Sequence, residues 1–226
     1  PMVDLTKKLP TKKEAREFLN LRINQNILLI MPASRPQELR YVLPTFMKVA
    51  QMLQKKFPNL VVFIPSCREV FDPKFEKALR KYNIKGRVVS LKDIEKNKPY
   101  IYSLSKLALC KSGTVNMELA LYNIPQVVGS KVSRVTAFIA KNILKFKVRF
   151  ISPVNLLVKK LVVPEYLQSD FEVNKVFKKS CQLISKKNEK VKIKKGYKLL
   201  MNQLGNNGAV KRAACEIINS IKSVSY

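Results

Sequence analysis

The sequence predicts an α/β fold, a parallel sheet with helices on both faces, followed by further C-terminal helices. Short, continuous apolar runs bounded by turn residues recur through the first 130 positions, as expected of strands buried on both faces. Amphipathic stretches with helical spacing separate these runs, and that alternation implies parallel strands joined by right-handed crossovers. The chain has 226 residues and is 46% hydrophobic, enough for one sizeable core or a core with an appended helical arm.

Each element has its own signal. Thr11 followed by Glu14 forms a capping-box pattern that starts a helix running to about Leu19, and Asn24-Gln25-Asn26 breaks it. Ile27–Met31 reads as a buried strand. The helix after it carries Leu39, Leu43, Phe46, Val49, Ala50 and Leu53 on one face and stops at Pro58-Asn59. Leu60–Ile64 is the second strand. A helix over Lys74–Tyr82, a strand over Val88–Leu91, a helix over Ile101–Ser105 and a strand over Leu107–Cys110 follow. A helix over Thr114–Tyr122 and a strand over Gln126–Gly129 complete the alternating region. Val132–Phe150 is helix-like, with Val135, Phe138, Ile139 and Ile143 on one side and Lys141, Lys145 and Lys147 near its end. The prolines of 152–157 and 163–168 make those segments extended loops or helix starts. From Phe171 the chain is lysine-heavy and helical, interrupted near 205–208, and its last helix spans about Ala209 to Ile221. The expected division is a sheet domain over 1–170 and a helical arm over 171–226.

Composition removes several chemistries. There is no histidine, so no Ser-His-Asp triad, histidine base or histidine-bound metal can come from this chain. The four cysteines lack CxxC pairing, which disfavours a zinc site; no metal and no cofactor are expected. No apolar stretch reaches the length of a membrane span, and Pro1–Asp4 does not read as a signal peptide. The formal charge of +29 points to an anionic partner: nucleic acid, an anionic membrane or a phosphorylated substrate. Lys, Asn, Ile and Tyr are also what an AT-rich genome encodes, so the charge does not choose among them. Signatures of nucleic-acid-binding modules are lacking.

Loops at strand ends hold the residues capable of chemistry. In Ala33-Ser34-Arg35-Pro36-Gln37-Glu38, Ser34 and Arg35 could meet a phosphate, or Ser34 could cap the helix with Arg35 solvated. In Lys111-Ser112-Gly113-Thr114, Gly113 permits close backbone approach at a helix start, and Glu118 one turn on could accept from both hydroxyls of a ribose. The alternative there is a plain cap at Ser112 or Thr114 with Glu118 in solvent.

Taken in order, Glu14-Ala15-Arg16-Glu17, Leu28–Leu39 with its Ser34-Arg35 turn, Phe57-Pro58-Asn59-Leu60, Ser112-Gly113-Thr114…Glu118, Asn155-Leu156-Leu157, Val163–Gln168, Gly208-Ala209 and Arg212-Ala213-Ala214 resemble lipid-A-disaccharide synthase. The resemblance covers nearly the whole chain and matches the C-terminal, donor-binding half of that family. It implies half of a GT-B fold, Rossmann-like, in a glycosyltransferase of lipid A biosynthesis. The implied reaction moves 2,3-diacylglucosamine from its UDP derivative to 2,3-diacylglucosamine 1-phosphate and releases UDP, without metal. Ser34, Arg35, Ser112, Gly113 and Thr114 would then face the diphosphate and Glu118 the ribose. Glu38, Lys131, Asn155 and Glu165 would complete the donor site. The general base and acceptor site belong to the family's N-terminal half, so the chain is expected to be a fragment or a split subunit. Its partners would be that half or a partner chain, a second protomer, and an anionic membrane met by the 132–150 helix. That places it in the cytoplasm, peripheral on the inner membrane, or in the equivalent compartment of a plastid-type organelle. Other readings are a different UDP-sugar-binding GT-B enzyme, a degenerate non-catalytic donor domain and a basic nucleic-acid-binding module. The chain departs from the family's pattern in Ala33 and Asn123, where glycines are usual, and in Lys131.

Overall fold

A computed structural model describes residues 4, 8–133, 149–205 and 208–224. The core is a sheet of six strands, all pairs parallel: β1 (Asn26–Met31), β2 (Leu60–Pro65), β3 (Gly86–Val89), β4 (Ser105–Lys111), β5 (Gln126–Ser130) and β6 (Glu165–Leu167). Their spatial order is β3-β2-β1-β4-β5-β6. The chain therefore builds outward from β1 in one direction, returns, and builds outward in the other. The switch lies between β1 and β4, and loops leaving the two strand ends diverge there to open a crevice.

The helices are α1 (Lys12–Phe18), α2 (Pro36–Lys56), α3 (Asp72–Lys81), α4 (Leu91–Leu104), α5 (Val115–Leu121), α6 (Pro153–Val158), α7 (Val173–Ser185), α8 (Lys187–Leu204) and α9 (Ala209–Val224). In α1 both reciprocal hydrogen bonds of the Thr11–Glu14 capping box form. Ile27, Leu28, Leu29 and Ile30 of β1 are fully buried, as are Phe63 of β2 and Leu107–Cys110 of β4, which accounts for their unbroken apolar runs. Each such aliphatic side chain contributes about 1.5–3 kcal/mol of burial.

Several boundaries differ from those predicted. The third strand ends at Val89, because the Ser90 hydroxyl accepts from Asp93 N at 3.3 Å and caps α4. That helix begins ten residues before the predicted Ile101 and carries Pro99 inside it, where a backbone donor is lost. The segment after Val163, expected as loop or helix start, supplies the edge strand β6, paired with Val128–Ser130. Pro153 does start a helix, at its first position.

Two of the three helices after Phe171 pack on this chain's own sheet domain. Val176 and Leu183 of α7 and Ile193, Tyr197 and Leu200 of α8 are buried, with α7 against α2 and α8 against α6. Gly129 makes room for that layer: a Cβ there would lie 2.0 Å from Phe171, whose ring meets Phe46 of α2 edge-on. α9 differs, with Val210, Ile217, Ile218 and Ile221 exposed. The Asp4 carboxylate accepts from Gly208 N at 2.5 Å and Val210 N at 3.3 Å at its start. The predicted amphipathic helix of 132–150 lies, over 134–148, outside the described residues. Among the described residues no helix is long and apolar enough to cross a membrane.

Gly129→Ala forces Phe171 off the sheet and lowers stability by about 1–3 kcal/mol. A urea transition should show a lower midpoint with an unchanged m-value.

Candidate functional site

The crevice at the β1–β4 switch holds a cavity of about 340 Å³. It is lined from the end of β1 by Met31 to Ser34, from the end of β2 by Pro65, Ser66 and Cys67, and from β4 onward by Lys111 to Val115. Glu38 of α2, Lys98 and Tyr102 of α4 and Glu118 of α5 close it. Both predicted loops thus meet in one cavity, although they lie far apart in sequence.

The Ser34-Arg35 turn occupies the mouth. Ser34 is exposed and lines the cavity; Arg35 is exposed, takes the N-cap position of α2 with no side-chain cap, and stays outside the lining. Ser34 is therefore not the cap, and its hydroxyl is left toward the cavity. Ala33 is absent from the residues with left-handed backbone, so the turn accepts a Cβ where the family has glycine. Asn123, by contrast, does take φ +56°, a conformation asparagine tolerates. Glu38, one turn into α2, reaches across to Lys111 Nζ at 2.7 Å. With both side chains about one-fifth exposed (20% and 21%), the pair is better shielded than a surface salt bridge and pins the first loop to the second.

The second loop is tied down from beneath. The Ser112 hydroxyl donates to Ile151 O, and Gly113 N donates to Asn116 Oδ1 at 2.9 Å. Asn116 is fully buried and its amide donates to Gln126 Oε1 at 3.0 Å, Lys111 O and Cys110 Sγ. Gln126 Nε2 in turn donates to Asn116 O and to the Tyr197 hydroxyl, both at 3.0 Å, and that hydroxyl donates to Ile124 O at 2.9 Å. Thr114 begins α5 without a side-chain cap. The capping alternative for Ser112 and Thr114 is overturned: neither hydroxyl serves the helix. The direction in which a Gly113 Cβ would point is open for 4 Å, leaving space for a ligand to approach the backbone.

Glu118 is not a solvated side chain. Its Oε1 lies 3.2 Å from Lys98 Nζ, which also meets Glu95 Oε1 at 3.1 Å. Burial disfavours the charge on Lys98, but the hydrogen bonds and charges of Glu95 and Glu118 outweigh it and leave the ammonium above its ordinary pKa. Burial, and then the Glu118 charge, hold the Tyr102 phenol protonated far above its usual range.

The remaining predicted residues sit elsewhere. Asn155 is buried, its Oδ1 accepting from Val162 N and Val163 N at 2.8 and 2.9 Å and its Nδ2 donating to Val163 O at 2.8 Å. Glu165 accepts from Ile151 N at 3.0 Å and Ser152 N at 2.9 Å. Neither lines the cavity; they build the wall whose Ile151 carbonyl receives Ser112. Lys131 is exposed beyond the end of β5 and is also outside the lining. Sequence reading missed Lys98, Tyr102 and Lys111. Lys111 directly precedes Ser112 at a strand end and was within reach of that rule, whereas Lys98 and Tyr102 needed the full extent of α4.

Chemically, the cavity offers a shielded carboxylate, a pair of cations already engaged by acids, and small hydroxyl residues along an open backbone. Among the described residues no group of three His, Cys, Asp or Glu is placed to hold a metal ion.

Sequence comparisons with known proteins give one family. Residues 1–219 match the family described as lipid-A-disaccharide synthetase. The lipid-A-disaccharide synthase of Prochlorococcus marinus is 43% identical over 99% of this chain, and that of Gloeothece citriformis 36% over 98%. The chain spans 57% and 56% of the length of those relatives. Among solved structures, an S. aureus MnaA–UDP co-structure superposes with a TM-score of 0.62 at 13% identity, covering 95% of this chain and 50% of that one. The C-terminal CMP-Kdo binding domain of WaaA from Acinetobacter baumannii superposes with a TM-score of 0.54 at 12% identity, covering 84% of this chain and 96% of that domain. At such identities the structures share a fold with this chain.

Replacing Asn116 by Leu strands the Gly113 amide and leaves Gln126 Oε1 with only the weak Cys110 thiol as donor, together costing about 1–3 kcal/mol. Hydrogen exchange should speed up at Gly113 well before it does in β1.

Proposed function

The chain belongs to the lipid-A-disaccharide synthetase family, and on that premise we propose that its cavity is the donor site of a glycosyltransferase. The donor would be UDP-2,3-diacylglucosamine, its acylated sugar passing to 2,3-diacylglucosamine 1-phosphate with release of UDP. The observation that carries the reading is the convergence of the Ser34 and Ser112–Thr114 loops with Glu118 at the sheet's switch point, where open α/β sheets receive nucleotides.

Each group has a task in it. Glu118 accepts hydrogen bonds from the ribose hydroxyls. Ser34, Thr114 and the open face of Gly113 meet the diphosphate, with Arg35 at the rim and Lys111 at the floor supplying positive charge. An arriving diphosphate competes with Glu38 for Lys111, so binding and loop closure are linked. Charge growing on the departing UDP is met by groups already in place, the usual way such sites lower a barrier. Asn155 and Glu165 act through the loop they hold. The acceptor site and general base would come from residues matching the remainder of the relatives' length. The exposed apolar face of α9 would pack on that part or on a second protomer. Lipid-linked substrates would bring the site to an anionic membrane surface, where the chain's positive charge is an advantage.

Calorimetry at moderate salt tests the reading. UDP should bind saturably, ADP far more weakly, and Glu118→Ala should reduce UDP affinity roughly ten- to a hundredfold. Absence of UDP binding, or equal binding of any polyanion that fades with salt, overturns the donor assignment. A footprint gives an independent check: UDP should slow maleimide labelling of Cys67, which lines the cavity, and leave the rate at exposed Cys215 unchanged.

A further inference from the structure

Two groups in the cavity have no task in the donor reading. Lys98 and Tyr102 lie one turn apart on α4, so both present to the same neighbour, Glu118. Lys98 bridges Glu95 and Glu118, holding Oε1 of the latter at 3.2 Å. The Tyr102 hydroxyl is buried beside that carboxylate, near enough for a partial hydrogen bond to favour its protonated form, but it closes no full hydrogen bond among the described residues, in a residue only 3% exposed. Its ring is fixed edge-on against Tyr122, with centroids 5.1 Å apart. Buried hydroxyls without a partner are uncommon in folded proteins, and one placed at a binding cavity awaits a change there. Kept protonated, this phenol can give the carboxylate a proton to share.

We propose that Lys98 and Tyr102 are positioning residues that set the Glu118 carboxylate for the two adjacent hydroxyls of a ribose, making the site discriminate ribonucleotides from 2′-deoxyribonucleotides. The inference rests on the nucleotide-donor reading. Lys98 fixes one carboxylate oxygen and leaves its remaining acceptor positions to the sugar. The small shift of Glu118 that accompanies diol binding closes the hydrogen bond from Tyr102, so the buried donor is satisfied only in the loaded site. A 2′-deoxyribose cannot drive that shift in full.

Calorimetry with UDP and 2′-deoxy-UDP on the unsubstituted chain, Tyr102→Phe, Lys98→Met and Lys98→Arg tests this. The unsubstituted protein should prefer UDP by roughly ten- to a hundredfold. Tyr102→Phe and Lys98→Met should each lower UDP affinity about tenfold with 2′-deoxy-UDP unaffected, collapsing the preference. Lys98→Arg should restore most of it. Equal loss for both nucleotides marks a merely structural role and overturns the inference, as does an unchanged preference in Tyr102→Phe and Lys98→Met. If the unsubstituted chain binds neither nucleotide, the donor reading fails and takes this inference with it; if it binds UDP and the variants keep the preference, this inference alone fails.

Discussion

The loop from Lys111 to Thr114 takes its shape from one buried side chain, Asn116. Its amide is an almost fully used hydrogen-bonding group: one end holds the Gly113 backbone, the other reaches Gln126, Lys111 and Cys110. Through Gln126 the network continues to Tyr197, the largest fully buried side chain, on a helix more than seventy residues further along. A polar group enclosed this way stabilises one geometry strongly, because any rearrangement leaves several buried partners unsatisfied. Thr114, exposed and lining the cavity, stands on this frame, and Ser34 lines the cavity from the facing loop. Rigidity below and free polar groups above is what a binding surface requires.

The large positive charge is distributed differently from what its size implies. The ionisable side chains lining the cavity include two carboxylates, Glu38 and Glu118, and two ammonium groups, Lys98 and Lys111, arranged as ion pairs. The surplus lies outside it. Lys106, for example, has its pKa lowered by burial and then by Lys12, Lys190 and Arg16 around it. Net charge therefore speaks to what the whole surface approaches, whereas the lysines and glutamates that line the cavity are already paired with one another.

Much of this architecture is legible in the residues. Apolar runs such as Ile27–Met31 and Leu60–Ile64, short and bounded by turn residues, identify central strands, which bury both faces. Strand-end loops with Ser, Gly and Thr locate the cavity. What escapes has specific causes. The start of α4 is hidden because Ser90 continues an apolar run while serving as a cap, and Pro99 interrupts the helical pattern. β6 is three residues long and partly exposed, so it depends on the free edge of β5 rather than on its own pattern. Asn155 and Glu165 carry groups suited to a ligand, and only the fold shows those groups spent on backbone amides. Lys98 and Tyr102 are ordinary residues by sequence; what sets them apart is facing Glu118.

The strand order also makes the cavity depend on distant parts of the chain. β1, β2 and β3 form a contiguous half-sheet drawn from residues 26–89. On its other side β1 pairs with β4, Ser112 donates to the Ile151 carbonyl, and Gln126 donates to Tyr197, all from residues beyond that half-sheet. Without β4, one flank of β1 would be an unpaired edge, open to a wrong neighbour. The cavity thus rests on pairings between distant parts of the chain, the class of contact that slows folding, and losing them exposes a bare strand flank rather than a half-formed pocket.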